Sequence, residues 1–211
     1  MKKIQEKFIE FAIEHRVLQF GKFTLKSGRI SPYFFNAGIF NDGIALKTLG
    51  NAYANLYKSN HLTTPHLFGP AYKGIILASI TSVMLALKGI NTTVTFNRKE
   101  EKIHGEGGVL IGKAVKGKTT IIDDVITAGT AFRHAKDLIE REGGKVDSVL
   151  IALNRCERGV SSQSSIQEIQ NFGIKVFAII SLFDIAAYLK DHGQEENASR
   201  LLDYQSTYAP S

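Results

Sequence analysis

The residues with the most chemistry in this chain stand together in TTIIDDVITAGTAFRH, Thr119 to His134. Asp123 and Asp124 follow the β-branched run Thr119–Ile122. Such residues favour strands, so the two acids are expected where a strand leaves the core. Val125, Ile126, Thr127, Ala128, Gly129 and Thr130 then make a short loop, and a helix is expected from about Ala131. Unbonded N–H groups at a helix N-terminus bind phosphate. Gly129 permits close backbone approach, and the hydroxyls of Thr127 and Thr130 add donors. Carboxylates repel phosphate, so the acids must face another group, and ribose hydroxyls are good donors to them. The spacing points to a ribose 5-phosphate, with its sugar on the Asp pair and its phosphate in the loop. The plainer alternative gives Asp124 and Thr130 capping roles only. Against it, one cap suffices, and two adjacent acids at a buried strand end are costly.

Three other stretches carry candidate groups. NRKEEKIHGEGG holds Arg98, Lys99, Lys102 and His104 and ends in glycines. Cations on such a loop can close over an anionic leaving group and exclude water; a solvated hairpin is the plain alternative. GPAYKG places Tyr72 and Lys73 just after the short apolar run HLFG. A lysine in a helix's first turn is unfavourable beside the positive end of the dipole unless an anion is present. TLKSGRISPYFFNAG offers Lys26 with Phe34 and Phe35, a cation and an aromatic pair suited to a flat anionic base. Phenylalanines packed in their own local core are the alternative there.

Two motifs are decoys. GKAVKGKT, Gly112 to Thr119, matches a Walker A pattern, but Lys118-Thr119 opens a β-branched strand where a P-loop needs a helix. HGE at His104–Glu106 echoes a zinc deaminase without the paired cysteines.

The elements that must position these groups follow from periodicity. A helix is expected over Lys2–Glu14, and Asn41-Asp42 can cap another running to about Tyr57. PHLFGP, TTVTF, TTIIDDV, VDSVLIALN and KVFAIIS read as strands. GIILASITSVMLAL reads as a helix buried on most sides, Ala131–Glu142 as a helix stopped by Gly143-Gly144, and SSIQEIQNFG as a helix. LFDIAAYLKDHG onward is helical, and NRKEEKIHGEGG is a polar loop. The strands are continuously apolar, which suits strands covered on both faces, so the expected class is α/β with a central, mostly parallel sheet flanked by helices. Residues 1–40 stand outside the alternation and read as a small N-terminal hood on a single domain spanning 1–211.

With 211 residues, 44% hydrophobic and 22% charged, the chain can bury one sizeable core. No run approaches the roughly 20 apolar residues of a membrane helix. The start MKKIQEKFIEF has no secretory pattern, and one cysteine, Cys156, excludes an internal disulfide, so a cytoplasmic chain without a membrane partner is expected. The formal charge of +6 favours anionic partners. The positive residues are spread and interrupted by acids, which suits a phosphorylated small molecule better than nucleic acid.

TIIDDVITAGTAF resembles the phosphoribosyl-pyrophosphate signature of type I phosphoribosyltransferases. FGKFTLKSGRISPYFFNAG, FGPAYKGI, FNRKEEKIHGEGG and LNRCERG resemble the orotate phosphoribosyltransferases in the same order. The resemblance implies the type I phosphoribosyltransferase fold and transfer of a 5-phosphoribosyl group to orotate with Mg²⁺. It implies catalytic roles for Lys73, Lys102, His104, Asp123 and Asp124. Phosphoribosyl pyrophosphate would contact Lys26, Tyr72, Lys73, Arg98, Lys99, Lys102, His104 and Asp123 through Ala131. Orotate would contact Lys26, Phe34, Phe35, Thr127 and Arg155, the last through its carboxylate. Mg²⁺ would be held through the substrate and by Asp123 and Asp124. A homodimer with a lid shared between subunits is implied too. The rivals are a purine or uracil phosphoribosyltransferase, a non-catalytic sensor that binds DNA, and a Walker-type NTPase.

Overall fold

The run HLFG becomes a strand buried at all four positions, β3 (His66–Gly69). It lies inside a six-stranded sheet, as its continuous apolar character requires. The computed structural model describes residues 3–25, 27–102, 108–159 and 162–210. Ahead of β3 come α1 (Lys3–Glu14), β1 (Leu18–Thr24), β2 (Ile30–Phe35) and α2 (Gly43–Ser59). After it come α3 (Lys73–Ala86), β4 (Thr93–Lys102), β5 (Gly108–Gly112), β6 (Gly117–Val125) and α4 (Thr130–Arg141). The chain continues through β7 (Gly144–Asn154), α5 (Ser165–Asn171), β8 (Lys175–Ser181), α6 (Leu182–Asp191) and α7 (Glu195–Thr207).

The sheet order is β5-β4-β3-β6-β7-β8, parallel throughout except for β5, which runs antiparallel at one edge. Neighbouring strand residues serve opposite faces. Ile121 and Ile151 join Phe132, Ala135 and Ile139 of α4, while Ile122 and Leu150 join a larger cluster with α2, α3, α6 and α7. Helix α4 packs on an apolar stripe of Phe132, Ala135, Leu138 and Ile139 and ends at Gly143, whose φ of +83° suits glycine. Helix α2 starts where Asp42 Oδ1 accepts the N–H groups of Ile44 and Ala45, as the sequence suggested.

Helix α3 is pressed hard onto the sheet. A Cβ on Gly74 would lie 2.6 Å from Pro70 Cδ and 2.9 Å from the Ile122 carbonyl oxygen. Only glycine lets the helix start so close to β6, which brings Lys73 to that strand's end. The expectation that α3 is buried on most sides is corrected. Ile76, Val83 and Leu87 are 52%, 60% and 75% exposed. An all-apolar helix hides its orientation in sequence, and here one apolar face is left uncovered by this chain.

The polar loop expected at NRKEEKIHGEGG is also corrected. Strand β4 continues through Lys102, and β5 pairs back on it, Thr95 with Gly112 and Lys102 with Gly108. Arg98 to Lys102 are five consecutive charged residues with no period, so the sequence does not separate a strand from a loop here. Residues 103–107 lie outside the described residues. The helical stretch expected after LFDIAAYLKDHG is two helices, α6 and α7, parted at Gly193 with φ of +70°.

Strands β1 and β2 form a separate antiparallel hairpin. Its buried Leu18, Tyr33 and Phe35, with Phe8 and Ile9 of α1, belong to the same apolar cluster as Leu201 and Tyr204 of α7. The chain's two ends are thus packed together over one edge of the core.

Candidate active site

The chain leaves β3 toward α3 and β4 on one side of the sheet, and leaves β6 toward α4 and β7 on the other. Open parallel sheets bind ligands at such a reversal, beyond the carboxyl ends of the strands. Here the reversal lies between β3 and β6. Tyr72 and Lys73 follow β3, Asp123 and Asp124 end β6, and Arg155 follows β7, all at the same sheet edge.

Lys73 Nζ donates to Asp124 Oδ2 at 2.6 Å, across that reversal. Asp124 is buried, while the Lys73 side chain is 48% exposed, so the ammonium reaches from the surface to a desolvated carboxylate. Asp123 is held by its backbone: its carbonyl accepts from the Tyr53 hydroxyl at 2.7 Å, and its Oδ1 accepts the Asp124 N–H at 2.9 Å. Burial and the neighbouring Asp124 charge push the Asp123 carboxyl up to about 7, and Lys73 only partly offsets them. With Lys73 paired to Asp124, a second negative charge at the acid pair is disfavoured, and Asp123 keeps its proton more readily than a free carboxyl.

The loop after the acids is open for an anion. Gly129 is the residue before α4, with φ of +70°, and no side chain caps the helix. The capping alternative for Asp124 and Thr130 is thus not what forms. Thr127, Thr130 and Ala131 are exposed, and the first-turn N–H groups have no partner within the helix. The loop's carbonyls are tied back. Ser165 Oγ donates to the Thr127 carbonyl at 2.5 Å, and Arg133 Nη2 donates to the Ala128 carbonyl at 2.6 Å. In a planar peptide this turns the N–H groups of Ala128 and Gly129 the opposite way. Sequence reading missed Ser165 and Arg133. It also missed buried Asn97, whose Oδ1 accepts the Ala71 N–H at 3.1 Å ahead of Tyr72.

On the far side of the Asp pair, Arg155 is nearly buried, its guanidinium 4.4 Å over the Tyr33 ring. The two expected phenylalanines part company. Phe35 is buried in the core, whereas Phe34 is 37% exposed and stacks on Phe23 at 5.6 Å. Tyr72 is exposed, and Arg98 Nη1 donates to the Gly108 carbonyl at 3.4 Å across the hairpin. Lys26 and His104 lie outside the described residues, as do the side chains of Lys99 and Lys102, although both backbones belong to β4. Lys118 and Thr119 lie within β6, whose first residue is Gly117 at φ of +71°, so the Walker-like stretch forms no P-loop. Among the described residues, one other group could gather around a cation: Glu6, Glu10 and His192, on α1 and after α6, away from these strand ends.

Residues 39–187 match the phosphoribosyl transferase domain family. The chain is 54% identical over 208 residues to an orotate phosphoribosyltransferase of Legionella pneumophila, covering 99% of each. It is 50% identical over 211 residues to one from Alteromonas mediterranea, again covering 99% of each. The crystal structure of orotate phosphoribosyltransferase from Francisella tularensis superposes with a TM-score of 0.87 at 42% identity, over 96% of this chain and 99% of that one. An acid pair at a strand reversal, an open amide loop beside it and this full-length likeness agree: the chain belongs to the orotate phosphoribosyltransferases.

Proposed function

We infer how this chain divides the work of its family's reaction, the transfer of the 5-phosphoribosyl group from phosphoribosyl pyrophosphate to orotate, giving orotidine 5′-phosphate and pyrophosphate. The observation that carries the reading is the meeting of the Asp123–Asp124 pair, the uncapped loop before α4 and Lys73 at one strand reversal. Asp123 and Asp124 accept from the ribose hydroxyls. The amides and hydroxyls of Thr127 to Ala131 hold the 5′-phosphate. The bond from C1′ to the pyrophosphate oxygen breaks, and a ring nitrogen of the base bonds to C1′. The base already carries its carboxylate charge; the ring nitrogen's proton is released as that bond forms and the departing pyrophosphate takes one up, so no strong general base is needed. Negative charge builds on the leaving group, and catalysis is mainly electrostatic and positional. Lys73, Arg98, Lys99, Lys102 and His104 face that charge, and Lys102 or His104 supplies a proton to pyrophosphate. Lys26, the backbone of Phe34 and Phe35, Thr127 and Arg155 hold the base.

The donor set suits magnesium. Its ligands at the acids are all oxygen, as a hard cation prefers, and the upward shift of Asp123 marks negative charge that a cation relieves. Asp123 and Asp124 would hold Mg²⁺ together with the substrate, and the ion would supply charge neutralisation at the leaving group.

A second copy of the chain is the proposed cover for the apolar face of α2 and α3. A groove lined by Leu46, Ile80, Val83 and Met84 lies there, beside exposed Ile44 and Ile76. Such a contiguous patch marks an interface. In that dimer the β4–β5 lid is the element shared between subunits. No helix among the described residues is long and apolar enough to cross a membrane, and we place the chain in the cytoplasm.

The experiment is pyrophosphate release from phosphoribosyl pyrophosphate and Mg²⁺, with orotate, uracil, adenine or hypoxanthine supplied separately. Release with orotate alone supports the reading. Release with a purine or uracil in place of orotate overturns the assignment of the base site.

A further inference from the structure

The Arg155 guanidinium is held before any substrate arrives. Its Nε and Nη2 both lie 2.8 Å from Glu157 Oε1, and Nη2 also donates to Ser31 Oγ at 3.2 Å. Glu157 therefore takes the Nε–Nη2 edge of the planar fork, Ser31 shares Nη2, and the Tyr204 side chain also hydrogen-bonds to the guanidinium. The second carboxylate oxygen is supported in turn. Glu157 Oε2 accepts from the Tyr204 hydroxyl at 3.1 Å and from Arg29 Nη1 at 3.4 Å. Tyr204 belongs to α7 and meets the Tyr33 ring edge-on at 6.4 Å, under the same guanidinium.

The charges do not cancel. Arg155 and Arg29 bring two positive charges against one negative charge on Glu157, and the Arg155 and Glu157 side chains are each only 9% exposed. The cluster thus keeps a surplus positive charge in a largely desolvated place. An anionic substituent on the base completes it. A base lacking that anion leaves the surplus unpaired, and this kind of mismatch discriminates more strongly than an apolar fit.

We propose that Glu157 is a positioning residue for base specificity: it aims Arg155 at the base's carboxylate, and Tyr204 of α7 braces it. The proposal rests on the reading of Arg155 as the carboxylate's partner. It gives the C-terminal helix, which carries no sequence motif, a part in substrate choice.

The test measures KM for orotate and for phosphoribosyl pyrophosphate, and kcat, in wild type, Glu157→Ala, Glu157→Gln, Tyr204→Phe and Arg155→Ala. Glu157→Ala is expected to raise the orotate KM about tenfold to a hundredfold, the usual cost of a misplaced contact, with the phosphoribosyl pyrophosphate KM unchanged. Glu157→Gln keeps an acceptor oxygen for Nε and Nη2 and is expected to recover most of that loss. Tyr204→Phe keeps the ring and is expected to give a smaller rise confined to orotate. An unchanged orotate KM in Glu157→Ala overturns the proposal, as does a parallel change of kcat and both KM values in the Ala and Gln variants, the mark of a purely structural role. If Glu157→Ala does not fold, an unchanged orotate KM in Tyr204→Phe overturns it. Arg155→Ala separates the two levels: an unchanged orotate KM there removes the underlying reading of the base site, whereas a raised one with Glu157→Ala unaffected removes only the role of Glu157.

Discussion

Lys73 Nζ sits 2.6 Å from Asp124 Oδ2, joining the first turn of α3 to the end of β6 across the reversal of the sheet. A lysine at a helix's positive end is poorly placed for stability alone. The pair makes sense as a site in waiting. The cation stabilises a buried carboxylate now and faces an anion when substrate binds. Replacing Lys73 with Ala is expected to lower kcat/KM by about a hundredfold, the scale for losing one preorganised electrostatic contact. Lys73→Arg keeps the charge but not the compact ammonium, and recovers part of the loss. Wild-type kcat/KM in Lys73→Ala would remove the lysine from the mechanism.

Asp123 ties stability to pH. Its carboxyl is raised from 3.8 to about 7 by burial and by Asp124. Between those values the folded chain keeps a proton that the unfolded chain has released. Its stability contribution is therefore full below the ordinary carboxylate range and is lost as pH rises toward and through about 7. Asp123→Asn has no such proton to lose. In the absence of magnesium and substrate, the Tm of Asp123→Asn minus that of wild type is expected to widen from pH 4 to 7 and then level off. A gap that does not change with pH contradicts the shift.

Gly129 is constrained twice. Its φ is +70°, and an added Cβ would lie 3.0 Å from Arg133 Nη1. Gly129→Ala is expected to cost about 1–2 kcal/mol from the left-handed backbone. It should also push Arg133 away from the Ala128 carbonyl and raise the KM for phosphoribosyl pyrophosphate about tenfold, with the orotate KM unchanged. Equal effects on both substrates would argue against a phosphate role for this loop.

Lys102 ends β4 and leads into the segment between the hairpin strands. If its ammonium acts on the leaving group, Lys102→Ala lowers kcat far more than it weakens ribose 5-phosphate binding. Rapid-mix turnover beside equilibrium titration checks this, and an unaltered kcat ends the lid assignment.

The parts of the site that are contiguous in the chain were legible in the sequence. The strand, the Asp pair, the glycine loop and the start of α4 span Thr119 to Ala131, and local rules fix each of them. The Walker-like stretch could be rejected for the same reason, because Lys118-Thr119 plainly opens a strand. What escaped reading depends on partners far along the chain. Arg155 was found through the family resemblance of LNRCERG, but Glu157 and Tyr204 stand 47 residues apart, and nothing in either segment announces the bond between them. Ser165 reaches Thr127 over 38 residues, and Asn97 reaches Ala71 over 26. The outer face of α3 shows a different limit. Ile76, Val83 and Leu87 read as buried because they are apolar, and no periodicity tells which faces of such a helix this chain covers.

The most direct measurement is a crystal structure of the protein with ribose 5-phosphate. The expected result is phosphate oxygens within hydrogen-bond reach of the Thr127–Ala131 amides and ribose hydroxyls on Asp123 and Asp124. A ligand bound elsewhere, or turned so that its phosphate avoids the loop before α4, contradicts the account.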